Sequence, residues 1–247
     1  MKGFEMKILD IVKDLVFPQG LYCNCCGKYT DGKRSYGLCD HCIRHMTFET
    51  ERICFPDDCH VREGMAAIKY GLYEKRLIFS LKYNGKTYIA PVLAQIMYDA
   101  MLSELADKRS CRLLKADLIV PVPISRERLK ERGFNQMERV GQHLARLSGI
   151  PMEDRILKRI RETKAQRALF PMERKNNMKN AFSIDSTKAM CLQGKKILLI
   201  DDIYTTGATA SECCRVMAEA GAEEIYFLAV MSANKKEKVN MLKNSVI

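Results

Sequence analysis

Residues 197–209 read ILLIDDIYTTGAT, and this stretch decides the fold class that the sequence predicts. An apolar run that ends in two acids and a Thr/Gly turn is typical of a buried strand leading into a helix. We therefore predict a strand over Lys195–Asp202, a helix over Ala208–Ala220 and a second strand over Glu224–Met231. Strands that are apolar throughout are covered on both faces, so the pattern indicates an α/β fold with a parallel sheet.

The segments before this stretch give further elements. A β-branched run stopped by prolines predicts a buried strand over Asp117–Pro123. Apolar residues at helical spacing predict helices over Met65–Lys82, Ile89–Lys108 and Gln136–Leu147. The pattern of the first sixteen residues predicts a short amphipathic helix rather than a signal peptide. For the tail, Lys235–Ile247, we predict a helix or a frayed end.

Two adjacent acids, Asp201 and Asp202, end the first strand, and open α/β sheets bind ligands at this end of their strands. We expect both carboxylates to be exposed and to accept hydrogen bonds from the 2′- and 3′-hydroxyls of a ribose. Backbone N–H groups and hydroxyls at a helix amino terminus suit a phosphate monoester, and Gly207 allows the backbone to approach it closely. The residues expected to hold the phosphate are Thr205, Thr206, Gly207, Ala208 and Thr209. An ordinary turn with an N-capping threonine would explain the loop but not the acid pair.

Seven of the eleven cysteines lie between Cys23 and Cys59. Four of them have the spacing C-x2-C-x12-C-x2-C, which supplies the four thiolates that tetrahedral Zn²⁺ prefers in structural sites: Cys23, Cys26, Cys39 and Cys42. A site closed by four thiolates has no open position for catalysis, so we predict structural zinc. We interpret Cys54 and Cys59 as reduced thiols, with a looser second metal pair as the alternative.

The middle of the chain is basic. The chain has 41 Lys and Arg against 30 Asp and Glu, and residues 125–180 hold fifteen basic residues against seven acidic ones. Such an excess favours an anionic partner, either a phosphorylated small molecule or nucleic acid, although a solvated helical face is an equal alternative. Arg126, Arg128 and Arg132 are candidate anion contacts, and Asn135 is a candidate helix cap or ligand contact.

No apolar run approaches the length of about 20 residues that a membrane span needs, and no apolar signal-peptide core is present. We therefore expect a cytoplasmic protein with reduced thiols and no membrane span.

Two motifs resemble a known family. Residues 197–209 match the phosphoribosyl pyrophosphate (PRPP) motif of type I phosphoribosyltransferases, and residues 121–136, PVPISRERLKERGFNQ, resemble the PVP…R…RGFNQ signature of the ComF (ComFC) competence-protein family. Lys164, Gln166 and Arg174 resemble the flexible loop of that family. The resemblance implies a sheet of type I phosphoribosyltransferase (Rossmann-like) topology over residues 61–247, after a helix and zinc ribbon over residues 1–60.

The resemblance also implies a function. Asp201 and Asp202 would be the catalytic residues, and they would bind PRPP with Mg²⁺ together with the 205–209 loop and Arg126. A ComF-type protein would act in DNA uptake during natural transformation, with single-stranded DNA and DNA-translocation proteins as partners. Two alternatives stay open: a nucleobase phosphoribosyltransferase of nucleotide salvage, and a non-catalytic nucleic-acid-binding adaptor that senses PRPP. The acceptor and the occurrence of transfer are left open by the sequence.

Overall fold

A five-stranded sheet forms the centre of the computed structural model, which describes residues 21–31, 34–56, 59–83, 85–106, 111–161 and 178–233. The strand order is β1-β2-β7-β6-β3. Its strands are β1 (Glu51–Ile53), β2 (Glu63–Lys69), β3 (Leu118–Pro121), β6 (Lys196–Tyr204) and β7 (Glu224–Ser232). All neighbours pair in parallel except β1, which runs antiparallel to β2 at one edge. The predicted α/β fold with a mostly parallel sheet is confirmed.

Helices cover both faces of this sheet. In the described ranges they are α1 (Asp40–His45), α2 (Leu72–Tyr83), α3 (Ala90–Ala106), α4 (Arg126–Arg132), α5 (Gln136–Ser148) and α6 (Ala208–Glu219). A separate antiparallel pair joins β4 (Leu157–Arg159) to β5 (Phe182–Ile184).

Alternate residues of β6 point to opposite faces and enter two different cores. Leu198 packs in the core that includes Leu93 of α3, whereas Leu199 packs in the core that includes Met217 of α6. Residues on both faces of β6 are therefore fully buried, and the strand emerges only at its carboxyl end, where the acid pair lies.

The helix predicted over Met65–Lys82 is wrong in its first half. Residues 63–69 form strand β2, which pairs with β7, and the helix begins only at Leu72. The apolar run Met65–Ile68 is too short for its period to distinguish a buried strand from a buried helix. Contact with β7, far away in the sequence, selects the strand.

The other predicted elements that lie in the described residues are confirmed with small shifts. The strand predicted over Lys195–Asp202 continues to Tyr204, and the helix predicted from Gln136 ends at Ser148, before Gly149 at a φ of 75°. The predicted amino-terminal helix and the tail lie outside the described residues. Strand β1 precedes the domain boundary predicted at residue 60, yet it pairs within the main sheet; that boundary stays a prediction.

Candidate functional site

The acid pair lies at the carboxyl end of β6, between the ends of β3 and β7. The backbone at the end of β3 is held beside it, because the amide of Val122 donates to the carbonyl of Ile200 at 3.0 Å. A cleft of about 110 Å³ opens here, and its walls include both acids, residues 122–124 and three cationic side chains from three different elements. These cations are Lys82, Arg128 and Arg159.

Asp202 is held by two side chains of the protein. The Lys82 ammonium forms an ion pair with Oδ2 of Asp202, and both side chains are nearly buried, at 13% and 14% exposure. Gln136, the first residue of α5, donates from Nε2 to the same oxygen at 2.9 Å. Burial alone would raise the pKa of Asp202, but Lys82 and Gln136 outweigh it, and the pKa lies below its ordinary value. Asp202 is therefore the ionised member of the pair.

Asp201 has the opposite electrostatic environment. Burial and the adjacent Asp202 charge raise its pKa to about 7, although Lys82 and Arg128 partly offset them. Its Oδ1 accepts a hydrogen bond from the Asp202 amide at 2.8 Å. The expectation that both carboxylates are exposed is wrong, because the cleft walls and the neighbouring charge surround them. Below a pH of about 7 the pair therefore holds one proton, which Asp201 carries.

The loop after β6 encloses a second, smaller cavity of about 20 Å³, lined by residues 203–210 together with Asp201 and Phe227. Asp201, Ile203 and Thr209 line both this cavity and the larger cleft, so the two spaces adjoin. Helix α6 begins at Ala208, and the N–H groups of its first turn have no acceptor within the helix. This arrangement can bind an anionic group beside a polyhydroxyl group.

Gly207 is favoured by the local structure itself, in addition to the predicted approach of a phosphate. It has a φ of 77°, and a Cβ added there would lie 3.0 Å from the Tyr204 hydroxyl and 3.1 Å from its ring. That ring is itself packed between Phe55 and Phe227. The left-handed backbone and the tyrosine therefore both disfavour a side chain at this position, and the close approach of a phosphate stays a prediction.

The arginines predicted from the sequence separate into two groups. Arg128 lines the cleft, whereas Arg126 is exposed as the first residue of α4 and is absent from the cleft wall. Arg132 donates to Gln136 Oε1 at 3.1 Å and to the Tyr83 hydroxyl at 3.2 Å. Lys164, Gln166 and Arg174 lie outside the described residues.

Asn135 is a helix cap, because its side-chain oxygen accepts from the Met137 amide at 3.0 Å. Its amide nitrogen also donates to the Val122 carbonyl at 3.1 Å, which ties the start of α5 to the end of β3. The capping alternative for this residue is therefore confirmed.

Sequence reasoning missed Lys82 and Arg159, and it read Gln136 only as the start of a helix. Lys82 ends a helix without any motif around it, and Arg159 comes from the short strand β4. Their only local signal is positive charge, which the sequence carries at many other positions.

The four predicted zinc ligands are brought together. The Sγ atoms of Cys23, Cys26, Cys39 and Cys42 all lie within 4.8 Å of one another, and those of Cys26 and Cys39 are 3.7 Å apart. Sulfurs at about 2.3 Å from a tetrahedral Zn²⁺ would be roughly 3.8 Å apart, so the cluster fits a metal ion of this kind. Burial raises the pKa of the Cys23 thiol, but backbone amides around it, including that of Cys39, lower it to about 7.

The remaining amino-terminal cysteines are not part of this group of four, although the Cys25 thiol lies close enough to interact with Cys42. Cys25 donates to the Tyr73 carbonyl at 3.5 Å, and Cys59 lies 3.0 Å from the Ser211 hydroxyl. Cys54 is exposed. Among the residues that the structure describes, these three enter no potential metal-binding group. The interpretation of Cys54 and Cys59 as reduced thiols stays a prediction.

Comparison with known proteins finds one matching domain and relatives over most of the chain. The family described as Phosphoribosyl transferase domain matches residues 145–245. Competence protein F from Haemophilus influenzae is 28% identical over 227 residues, which are 91% of this chain and 96% of that protein. Competence protein ComFC from Bacillus subtilis is 27% identical over 202 residues, 82% of this chain and 73% of that protein.

The chain is homologous to these two competence proteins over most of its length, and it carries a match to the phosphoribosyl transferase domain. A further relative, the DNA utilization protein YhgH of Salmonella typhimurium, is 33% identical over 149 residues, or 60% of this chain and 63% of that protein's length. In this chain the domain match begins inside α5 and includes β6, its loop, α6 and β7. The cysteine cluster and Lys82 lie before it. Across the described ranges, none of the helices has the length and apolarity needed to cross a membrane.

Proposed function

We propose that the chain binds a 5-phosphoribosyl group, as PRPP or a nucleotide, across the two adjoining cavities. The ribose would lie in the larger cleft against Asp201 and Asp202, and its 5′-phosphate would lie in the 205–209 loop at the start of α6. The observation that carries this proposal is the shared wall of the two cavities, which includes Asp201 and Thr209, so that an acid and the start of α6 face adjoining spaces. A sugar and its phosphate need an acceptor for hydroxyls beside a site for an anion.

The cations of the cleft suit a pyrophosphate. Arg128 and Arg159 line the cleft together with residues 122–124, and a guanidinium can donate two parallel hydrogen bonds to a phosphate. The carboxylate oxygens are hard ligands that fit Mg²⁺, which would neutralise part of the pyrophosphate charge when bound. Lys82, already paired with Asp202, would stay on the ribose side of the site.

For the cysteine cluster we propose structural Zn²⁺. Two of its four ligands, Cys23 and Cys42, are buried, and the amide of Cys39 donates to Cys23 Sγ at 3.3 Å. Amide donors of this kind stabilise thiolate sulfur, and four thiolates leave no position for a reacting water. The metal would thus hold the segment around residues 23–42 together.

For the chain as a whole we propose a ComF role with single-stranded DNA as partner. The names of the relatives, competence protein and DNA utilization protein, and the basic residues 125–180 support this proposal. Binding carried by phosphate neutralisation releases counterions, so the affinity for an oligonucleotide should fall steeply between 50 and 200 mM salt, by about a hundredfold or more for several contacts. An affinity that is independent of salt, measured by fluorescence anisotropy, would exclude this mode of binding.

The decisive experiment for the phosphoribosyl site is calorimetric titration with PRPP and with ribose 5-phosphate, each with and without Mg²⁺. We expect both ligands to bind, with Mg²⁺ strengthening PRPP more than ribose 5-phosphate because only PRPP carries a pyrophosphate. Arg128→Met should weaken PRPP selectively, whereas Lys75→Met, on the outer part of α2 over Phe79, should change neither affinity. Absence of binding by either ligand would refute the proposal. Release of pyrophosphate on adding a nucleobase would point to the salvage enzyme.

A further inference from the structure

One of the two carboxylate oxygens of Asp202 is engaged by the protein before any ligand arrives. Its Oδ2 accepts from both Lys82 and Gln136, and one carboxylate oxygen has about two lone-pair sites. The Lys82 ammonium also compensates the carboxylate charge in a nearly buried setting. A ligand hydroxyl that donates to Asp202 therefore gains less than it would from a carboxylate that only water solvates.

Lys82 is fixed in this position by a closed ring of contacts. Arg132 donates to Gln136 Oε1 and to the Tyr83 hydroxyl, and its guanidinium lies 5.0 Å from the centre of the Tyr83 ring. Gln136 donates in turn to Asp202, and Asp202 pairs with Lys82, which precedes Tyr83 in the chain. The end of α2 is thus tied to the start of α5 through the acid itself.

We propose that Lys82, supported by Gln136, sets the sugar specificity of the cleft, so that a 2-deoxyribose 5-phosphate group binds almost as well as a ribose 5-phosphate group. This inference rests on the proposed phosphoribosyl site. Discrimination for ribose needs a strong acceptor for each of the two ring hydroxyls. Asp201 remains available for one of them, but Lys82 and Gln136 weaken Asp202 as the acceptor for the other.

The ligand class follows from this chemistry. A 5′-phosphorylated deoxyribose lacks one hydroxyl, so it loses little at an acceptor that the protein already occupies. Its phosphate still meets the amides at the start of α6, in the same way as that of a ribose. The site would accordingly accept 5′-phosphorylated deoxynucleotides as well as ribonucleotides.

The test is the ratio of two affinities, measured by calorimetry at pH 8 with ribose 5-phosphate and 2-deoxyribose 5-phosphate. For the unmodified protein we expect the two dissociation constants to agree within about threefold. Lys82→Met should raise the preference for ribose to about tenfold or more, because a hydroxyl then meets an uncompensated carboxylate. Gln136→Met should change the ratio in the same direction by a smaller factor. This second variant keeps the inference testable if Lys82→Met fails to fold.

Two controls separate specificity from a merely structural effect. Lys82→Arg keeps the positive charge and should keep the affinity ratio of the unmodified protein. Lys75→Met changes a lysine of the same helix, where Lys75 lies over the Phe79 ring, and should also leave the ratio unchanged. General damage would weaken both ligands equally and leave their ratio unchanged. A ratio unchanged in both Lys82→Met and Gln136→Met, or a preference above about tenfold in the unmodified protein, would overturn the inference. Failure of both ligands to bind the unmodified protein would instead refute the phosphoribosyl site itself.

Discussion

Asp201→Asn should stabilise the protein at the expense of its ligand site. In the folded chain, burial and the neighbouring Asp202 raise the pKa of Asp201 from 3.8 to about 7. Between pH 3.8 and about pH 7 the folded state holds a proton that the unfolded state has released. The free energy of unfolding therefore falls as the pH rises through this range, and it no longer changes above about pH 7. Asparagine is neutral at every pH and removes this dependence.

The size of the effect follows from the shift. One pKa unit corresponds to about 1.36 kcal/mol, and 1.5 units lie between pH 5.5 and the raised pKa of about 7. The advantage of Asp201→Asn over the unmodified protein should therefore grow by about 2 kcal/mol at most from pH 5.5 to pH 8. Water that reaches the carboxyl through the cleft reduces this figure.

The assay is urea unfolding followed by circular dichroism at several pH values. The control is Glu223→Gln, which removes an exposed carboxylate just before the amino end of β7, at the opposite end of the strands from the acid pair. As the pH rises, the free energy of unfolding of Asp201→Asn should increase relative to that of the unmodified protein. The difference between the control and the unmodified protein should stay the same at every pH. The same proton opposes ligand binding, because a protonated Asp201 is a weaker acceptor for a ribose hydroxyl. Affinity for ribose 5-phosphate should thus rise about tenfold from pH 6 to pH 8, and less in Asp201→Asn. Parallel unfolding curves for all three proteins would refute the assignment of the proton to Asp201.

Three further changes test other parts of the structure. Elemental analysis should find about one zinc per chain, and Cys39→Ser combined with Cys42→Ser should abolish it; zinc that survives this double change lies elsewhere. Gly207→Ala should lower the free energy of unfolding by about 1–3 kcal/mol in thermal melts, because alanine is strained at a φ of 77° and meets the adjacent tyrosine ring; an unchanged melting temperature would contradict this. Arg52→Met should cost about 1–3 kcal/mol, because Glu104, 6% exposed, would lose the donor at 2.8 Å that compensates its charge; a neutral effect would show that water replaces that donor.

The part of the site that lies in one stretch of sequence could be predicted. Residues 197–209 hold the strand, the acids, the turn and the helix start, and each is set by local pattern. The cysteine cluster could be predicted for a similar reason, because two short knuckles carry all four ligands. In both cases the chain itself supplies the spacing that the chemistry needs.

The remainder depends on contacts between distant segments. Lys82 meets Asp202 only because β2 pairs with β7, and this pairing places α2 at the carboxyl end of the sheet. The sequence predicted a single helix where β2 and α2 lie, so it could not place Lys82 at the site. The burial of the acid pair was missed for the same reason, since the cleft walls come from α2, α5 and the segment after β3.

The charges of the cleft show why the fold keeps a costly acid pair. Two adjacent carboxylates repel each other, and the structure reduces the cost in two ways: Lys82 compensates Asp202, and a proton neutralises Asp201 below a pH of about 7. Apolar residues at both positions would avoid this cost altogether, so stability alone gives no reason for the pair. Three cationic side chains and two acids line the cleft, a balance that suits the phosphorylated ligand proposed above. With that ligand bound, a sugar hydroxyl would donate to Asp201 once its proton has left, so the pair would be kept for the ligand rather than for the stability of the fold.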